Sequence, residues 1–232
     1  MTPLVVVLSS PSGVGKTTIT KTLLNDWPER FGYSVSATTR PPRVGERDGQ
    51  DYHFLSSDAF ARREAAGDFV ETADYAGYRY GTLRDEVELV LSSHRNVLLD
   101  IEVQGAQQVR RQYPRPASVA IFVLPPSPSV WIDRLMRRRT ETDPALVRRL
   151  DRAKAELHEV QILARATQPG ATFDHIVVND DLDRVVTEVV QIVNDPWSKP
   201  HRPGTPELIT LVHGLIDEAD RRLEYLKTKE SL

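Results

Sequence analysis

The sequence of 232 residues contains no cysteine, so disulfide bonds and thiolate chemistry are excluded. It also has no uninterrupted apolar run of the roughly 18 residues that a membrane span needs, and no signal-peptide pattern at its start. We therefore expect a cytoplasmic protein without a membrane partner. One domain with insertions suits this length, because domains usually span about 100–200 residues.

An excess of either charge is also missing: 30 lysine and arginine residues stand against 33 aspartate and glutamate residues, for a net charge of −3. A chain without a basic excess is a poor general binder of polyanions, so we expect no nucleic-acid partner. The histidines are isolated, at His53, His94, His158, His175, His201 and His213. They form no Ser/His/Asp or metal-ligand spacing, and no zinc site is predicted.

A glycine loop between a β-branched apolar run and a helix pattern is the strongest signal, at residues 4–18 (LVVVLSSPSGVGKTT). Such a loop aims backbone N–H groups and a helix N-terminus at phosphate oxygens. In the pattern G-x-x-x-x-G-K-[ST], Lys16 would reach the β- and γ-phosphates and Thr17 would ligate Mg²⁺. Ser10 replaces the first glycine, and a turn with an unrelated lysine is the alternative. The predicted ATP-binding residues of the loop are Ser12, Gly13, Val14, Gly15, Lys16, Thr17 and Thr18.

Strand and helix patterns alternate after this loop. A helix is predicted from Lys16 to Asp26, and helix patterns resume at Leu83 and at residues 182–193. Buried strands are predicted at residues 96–101, 118–124 and 173–178. Residues up to Gly81 are rich in tyrosine, glycine and charge, with only short strand-like runs, which indicates an inserted subdomain. The alternation favours an α/β fold with a parallel sheet.

Two further segments follow the predicted strand 118–124 and the predicted helix 182–193. The basic segment 131–139 (WIDRLMRRR) precedes a long helix pattern, and together they resemble a hinged lid. Near the C-terminus, the prolines from Pro196 to Pro206 mark a linker. The helix pattern after them has an apolar stripe formed by Leu208, Leu211, Leu215, Ala219 and Leu223. We expect this stripe to bury on the core or on another copy of the chain, which would give a homo-oligomer.

The inserted segment is more specific than the loop, because its motifs follow in the order SVSATTRPPRVGE, DYHF, FVETADY and YRYGT. In these motifs, and in LDIEVQGA and IVVNDD, the sequence resembles the guanylate kinase family from about residue 4 to about residue 194. The resemblance implies a P-loop α/β kinase with a parallel sheet core flanked by helices, a mixed α/β GMP-binding insertion and a helical lid. It implies transfer from ATP to GMP with Mg²⁺, with dGMP as a further expected acceptor.

The same resemblance divides the chain. A guanylate kinase-like domain is expected over residues 1–195, followed by a Pro-rich linker and an amphipathic helix over residues 196–232. Within the domain, the core would consist of 1–32, 83–124 and 169–195, the GMP-binding insertion of 33–82, and the lid with its following helix of 125–168.

By the resemblance, the phosphate of GMP is held by Arg40, Arg43, Tyr52 and Tyr80. Guanine is read by Ser36, Glu71 and Thr82. The chemistry agrees, because arginine forks and phenols donate hydrogen bonds to a dianionic phosphate, and a carboxylate accepts from the adjacent N1 and N2 hydrogens of guanine. A solvated loop for the arginines and packing of the subdomain for the tyrosines are the alternatives.

Two carboxylates lie in LDIEVQGA. Asp100, at the carboxyl end of a predicted strand beside the phosphate loop, is expected with the GMP-binding residues and, through water, at Mg²⁺. Glu102 stands where the family usually has aspartate, so the carboxylate is kept with a longer reach. A plain strand-end cap is the alternative for both.

The lid and the last strand supply the remaining residues. Arg134, Arg138 and Arg149 are expected to close over the ATP phosphates and, with Lys16, to be catalytic; a solvated basic face is the alternative. Arg139 occupies a position that is often glycine in the family. Asn179 resembles the contact on the adenine side of ATP, with a strand-end turn as the alternative.

Two other functions match parts of the pattern. Guanylate-kinase-like scaffold domains keep the fold and bind peptides, but they typically lack an intact phosphate loop, whereas Lys16 and Thr17 are present here. A kinase for another small phosphate ester, such as a ribose bisphosphate, would not need Glu71 and Ser36 as a purine reader. A guanylate kinase therefore explains more of these residues than either alternative.

Overall fold

The computed structural model describes residues 2–75, 77–136, 143–165, 172–197 and 205–230. The strands are β1 (Val5–Ser9), β2 (Phe31–Tyr33), β3 (Ala37–Thr38), β4 (His53–Phe54), β5 (Phe69–Tyr75), β6 (Tyr78–Leu83), β7 (Asn96–Asp100), β8 (Ser118–Leu124) and β9 (His175–Val178). The helices are α1 (Lys16–Asp26), α2 (Ser57–Ala65), α3 (Arg84–Ser92), α4 (Val103–Gln112), α5 (Pro128–Met136), α6 (Asp143–Arg165), α7 (Leu182–Asn194) and α8 (Thr205–Glu230).

A five-stranded sheet has the strand order β2-β7-β1-β8-β9. The pairs β2–β7 and β8–β9 are parallel. All residues of β1 and β8 are buried, and both segments are apolar apart from one terminal serine. A strand of a parallel sheet is covered on both faces, so it favours such a continuous apolar run over an alternating one. The predicted α/β fold with a parallel sheet core is confirmed.

By its internal contacts the chain forms two compact units, the first comprising Met1–Val7 and Thr20–Val119, and the second Leu8–Ile19 and Ala120–Leu232. The first unit contains a smaller mixed sheet with the order β4-β3-β6-β5. Here β3 pairs with β4 in parallel, and β6 pairs antiparallel with β3 and β5. This sheet has a core of its own, formed by Ala37, Phe60, Phe69 and Leu83.

In the second unit, the C-terminal helix α8 packs against α5 and α6. Its buried residues are Leu208, Val212, Leu215, Ile216, Ala219, Leu223 and Leu226. A Cβ added to Gly214 would lie 3.3 Å from Pro128 Cγ, so α8 and α5 approach closely. On α6, Lys154 forms a salt bridge with Asp220 of α8. Four residues of the apolar stripe therefore bury on their own chain, the first of the two alternatives, and Leu211 is half-buried. A homo-oligomer stays a prediction.

Several predicted element boundaries agree closely with the structure. The helix α1 ends at the predicted Asp26, β8 covers the predicted residues, and α7 continues one residue beyond them. The helices α2 and α4 were not predicted. Pro206, placed in the linker from the sequence, lies instead in the first turn of α8, where its missing N–H costs no helical hydrogen bond. No described helix combines the length and hydropathy of a membrane span.

Candidate functional site

The loop that follows β1 contains two glycines in the left-handed region of backbone conformation. The φ angle is +87° at Gly13 and +103° at Gly15, values that residues with a Cβ rarely adopt. A Cβ would also lie 2.9 Å from Leu135 at Gly13 and 2.8 Å from Asn179 Nδ2 at Gly15. Both glycines are therefore required by conformation and by space.

Ser10 takes the place of the glycine that usually begins this loop. Its φ angle lies outside the left-handed region, and its hydroxyl donates to Pro11 O at 3.1 Å. Backbone conformation therefore does not require glycine at this position.

Lys16 and Thr17 begin α1 directly after the loop. The N–H groups of Thr18 and Ile19 donate to Gly15 O at 3.0 and 3.2 Å, so the first helical turn grows out of the loop itself. The Lys16 side chain is half-buried and that of Thr17 is exposed. The two residues predicted to bind phosphate and Mg²⁺ thus stand at a helix N-terminus, where partial positive charge favours anions.

A carbonyl of the loop is held by two residues of the second unit. Val14 O accepts from Asn179 Nδ2 at 2.7 Å and from Arg134 Nη1 at 3.1 Å, and the same arginine nitrogen donates to Asn179 O at 3.2 Å. Two side chains predicted at the ATP site therefore fasten the loop backbone. The adenine contact of Asn179 stays a prediction.

A second pair of contacts fixes the loop at Ser12. Trp131 Nε1 donates to Ser12 O at 2.8 Å, and Arg149 donates to Ser12 Oγ through Nε at 3.2 Å and Nη2 at 2.9 Å. Of the three arginines predicted for the lid, Arg134 and Arg149 thus contact the loop. Arg138, like Arg139, lies outside the described residues. The contact of Trp131 was not predicted.

In the first unit, Arg40 is the centre of the predicted GMP-phosphate residues. Its Nη2 forms a 2.9 Å salt bridge with Glu46 Oε1, and its guanidinium lies 5.4 Å from the ring centroid of Tyr52 and 5.8 Å from that of Phe54. The hydrogen bond to Glu46, with a smaller one to Tyr80, raises the pKa of Arg40. This arginine is a preorganised, permanently charged group.

Glu46 was not predicted, yet it joins the two arginines of the motif. Its Oε1 accepts from Arg40, and its Oε2 accepts from the backbone N–H of Arg43 at 2.7 Å. The Arg40 hydrogen bond, followed by that N–H, lowers the pKa of Glu46. The Arg43 side chain itself is exposed.

Two of the predicted tyrosines lie together beside Arg40. The ring centroids of Tyr52 and Tyr80 are 5.9 Å apart in an edge-to-face arrangement. Burial, and then Tyr80, raise the pKa of Tyr52; Arg40 opposes this and Asp100 adds to it. Tyr52 is therefore protonated at neutral pH and able to donate a hydrogen bond, and Asp100 is near enough to act on it electrostatically.

The predicted guanine-reading residues meet across β5 and β6. Glu71 is opposite Thr82 in the antiparallel register, and Thr82 Oγ1 donates to Glu71 Oε1 at 2.8 Å. Both residues are buried. Ser36 is half-buried, and its carbonyl accepts from His53 N at 2.9 Å, which joins it to β4. Glu102 is the N-cap residue of α4 and makes no side-chain capping bond there.

Comparisons with known proteins give one consistent result. Residues 2–196 match the family model described as guanylate kinase. The chain is similar to the guanylate kinase of Homo sapiens, with 40% identity over 87% of this chain and 98% of that protein. It is similar to that of Symbiobacterium thermophilum, with 42% identity over 93% and 97%. The crystal structure of guanylate kinase from Anaplasma phagocytophilum covers 90% of this chain and 94% of its own, with 29% identity and a TM-score of 0.62.

Proposed function

The chain belongs to the guanylate kinase family, and from this premise we propose that it transfers the γ-phosphoryl group of ATP directly to GMP, in line and with Mg²⁺. The products would be ADP and GDP, so the enzyme would recycle GMP in purine nucleotide metabolism. A cytoplasmic location is proposed with it, since a chain without cysteine needs no oxidising compartment.

One observation supports GMP as the phosphoryl acceptor. The buried Glu71–Thr82 pair joins β5 to β6, and β6 also carries Tyr80, whose ring contacts Tyr52 next to Arg40. The residues proposed to bind the purine and those proposed to bind its phosphate thus lie in or next to one small sheet. A phosphate loop alone names no acceptor, whereas this pairing matches a purine nucleoside monophosphate.

The acceptor needs no general base in this proposal. The second pKa of a phosphate monoester is about 6, so GMP is largely dianionic at neutral pH and its oxygen is ready to attack. Arg40 and Arg43 would neutralise that charge, while Tyr52 and Tyr80 would donate hydrogen bonds that orient it. Positioning and charge neutralisation then suffice for transfer.

On the donor side, the loop N–H groups and Lys16 would hold the β- and γ-phosphates of ATP. Arg134 and Arg149 contact this loop, which supports the proposal that both guanidinium groups bind the ATP phosphates. Arg138 is proposed as the third cation. These cations would neutralise the negative charge that spreads over the transferring phosphoryl group.

The donor set agrees with Mg²⁺ as the metal. Thr17 offers a hydroxyl and Asp100 a carboxylate, the latter through water, and Mg²⁺ is usually held by one or two such oxygen ligands together with substrate phosphates. Among the described residues, no three His, Asp or Glu side chains form a cluster that would hold a metal without substrate. When bound, Mg²⁺ would neutralise phosphate charge.

A coupled ADP-release assay across the common nucleoside monophosphates tests the function. We expect turnover with GMP and dGMP, and little with AMP, CMP or UMP. Turnover with ribose 1,5-bisphosphate instead of GMP would favour the alternative function, a kinase that acts on a ribose bisphosphate. No turnover with any acceptor, combined with peptide binding, would favour a scaffold domain.

Arg149→Ala is expected to lower kcat by about 10²–10³ and to raise the KM for GMP far less, because the phosphate contact forms mainly in the transition state. Arg134→Ala and Arg138→Ala should behave similarly. Steady-state kinetics at saturating ATP measure this split. Arg148→Ala, an exposed arginine beside Arg149 on α6, is the matched control and should retain kcat. Wild-type kcat in all three variants would exclude these arginines from catalysis and leave Arg134 and Arg149 with the structural role of holding the loop.

A chain that ends at Asp195 is expected to keep kinase activity, because the family model matches residues 2–196 and α8 lies beyond it. Its melting temperature should fall. Removal of α8 exposes the surfaces of α5 and α6 that buried residues such as Leu215 cover, and each buried leucine contributes about 1.5–3 kcal/mol. Calorimetry and kinetics on both chains, with sedimentation of the full chain, measure these effects. A folded but wholly inactive truncated chain would contradict the expectation.

A further inference from the structure

The strand that carries Glu71 lies at the edge of the mixed sheet, with β6 on one side only. Its register slips between Phe69 and Glu71, which leaves Val70 as a bulge. A bulge bends an edge strand and changes the direction of its side chains. The position of the Glu71 carboxylate is therefore not determined by β5–β6 pairing alone.

The open edge of β5 is occupied by glutamine side chains of α4. Gln108 Oε1 accepts from Thr72 N at 3.1 Å and Gln108 Nε2 donates to Thr72 O at 2.9 Å, so one amide satisfies both backbone groups of a residue. Gln112 Nε2 donates to Val70 O at 2.8 Å. The two amides thus grip the strand immediately before and after Glu71.

The same helix also meets the Glu71 carboxylate directly. A Cβ placed on Gly105 would lie 2.8 Å from Glu71 Oε2 and 3.3 Å from Glu71 Cδ. Gly105 is in the first turn of α4 and does not have a positive φ, so its backbone conformation does not require glycine. Glycine in a helix is unfavourable relative to alanine. The close carboxylate is the structural feature that glycine accommodates here.

We propose that α4 positions Glu71 for base recognition. Gly105, which has no side chain, lets the Glu71 carboxylate approach the helix closely, and Gln108 and Gln112 hold β5 at the distance from α4 that this approach needs. These three are positioning residues that act through Glu71. The proposal rests on the proposed function, in which Glu71 accepts hydrogen bonds from guanine.

Gly105→Ala is the most direct test. The added methyl group must displace the carboxylate, and a misplacement of about 1 Å costs on the order of 10²-fold in rate. We expect kcat/KM for GMP to fall by about 10- to 100-fold and the KM for ATP to stay unchanged. The GMP-over-AMP ratio, which is kcat/KM for GMP divided by kcat/KM for AMP, should also fall. Gly214→Ala, a helical glycine that faces Pro128 instead, is the matched control and should leave all three unchanged.

Gln108→Ala provides a second, milder test that avoids a clash in the helix. Loss of the paired hydrogen bonds to Thr72 should loosen β5 and move the same ratio in the same direction. Gln104→Ala, an exposed glutamine of the same helix, is its control. If Gly105→Ala fails to fold, this pair still decides the proposal.

A double-mutant cycle with Glu71→Gln separates positioning from a general structural effect. If α4 acts through Glu71, Gly105→Ala and Gln108→Ala should add almost nothing to the loss of selectivity in the Glu71→Gln background. Full additivity would overturn the proposal. A changed ratio in Glu71→Gln with unchanged ratios in the α4 variants would overturn it while leaving the guanine site in place. An unchanged ratio in Glu71→Gln itself would overturn both.

Discussion

Lys16→Ala is expected to lower kcat by at least about 10²–10³ while the melting temperature remains that of the wild type. Lys16 stands at the first position of α1, half-buried, directly after the two left-handed glycines. A cation at this place stabilises charge that develops on the transferring phosphoryl group, and alanine keeps the helix because it is the strongest helix former. Steady-state kinetics with ATP and GMP measure kcat, and thermal unfolding measures the melting temperature.

A matched variant in the same helix controls for lysine loss as such. Lys21 is exposed on α1, and Lys21→Ala should change neither kcat nor the melting temperature. Nearly normal turnover of Lys16→Ala with an unchanged unfolding profile would remove this residue from the phosphate site. A large drop in melting temperature would assign it a structural role instead.

The elements predicted most accurately from the sequence are those with the same environment along their whole length. The strands β1 and β8 are buried throughout, so their apolar runs identified them. In contrast, α4 has only three buried apolar residues, Val103, Ala106 and Val109, because much of its contact with β5 is made by glutamine amides. Glutamine contacts add nothing to a hydrophobic pattern, and Gly105 further weakens the helix signal.

The site residues divide in a similar way. Residues in a local motif, such as Gly13, Gly15 and Lys16, were found from spacing, because the loop geometry that needs them is local. Contacts between distant segments left no such trace: Trp131 reaches Ser12 across 119 residues of sequence. Glu46 is an intermediate case. It lies three residues after Arg43, close enough for a turn to bring its carboxylate back, but only the structure shows that it joins both arginines.

Glu71→Gln is expected to lower kcat/KM for GMP by roughly 10- to 100-fold and to narrow the GMP-over-AMP ratio, with little change in ATP binding. A hydrogen bond to a charged group contributes about 1.5–3 kcal/mol, and the amide accepts from only one of the two adjacent guanine hydrogens while its NH₂ opposes the other. Adenine has an unprotonated N1, which leaves a buried carboxylate without its partner but suits an amide donor. Sites built on such donors reject analogues that lack them by up to about 10⁴–10⁵.

The control is a second carboxylate, which lies on a helix and contacts the same strand. Glu64 of α2 accepts from the Thr72 side chain at Oγ1 and forms a salt bridge with Arg79. Glu64→Gln therefore removes a neighbouring carboxylate, while Gln108 and Gln112 still hold the backbone of β5 and the proposed base contact is kept. We expect its GMP-over-AMP ratio to equal that of the wild type. Measurement of kcat/KM for both nucleotides, with ATP binding by calorimetry, compares the variants directly. Because Thr82 fixes one oxygen of Glu71 and α4 limits the other, the amide has little room to adjust. An unchanged ratio in Glu71→Gln would therefore exclude Glu71 from base recognition.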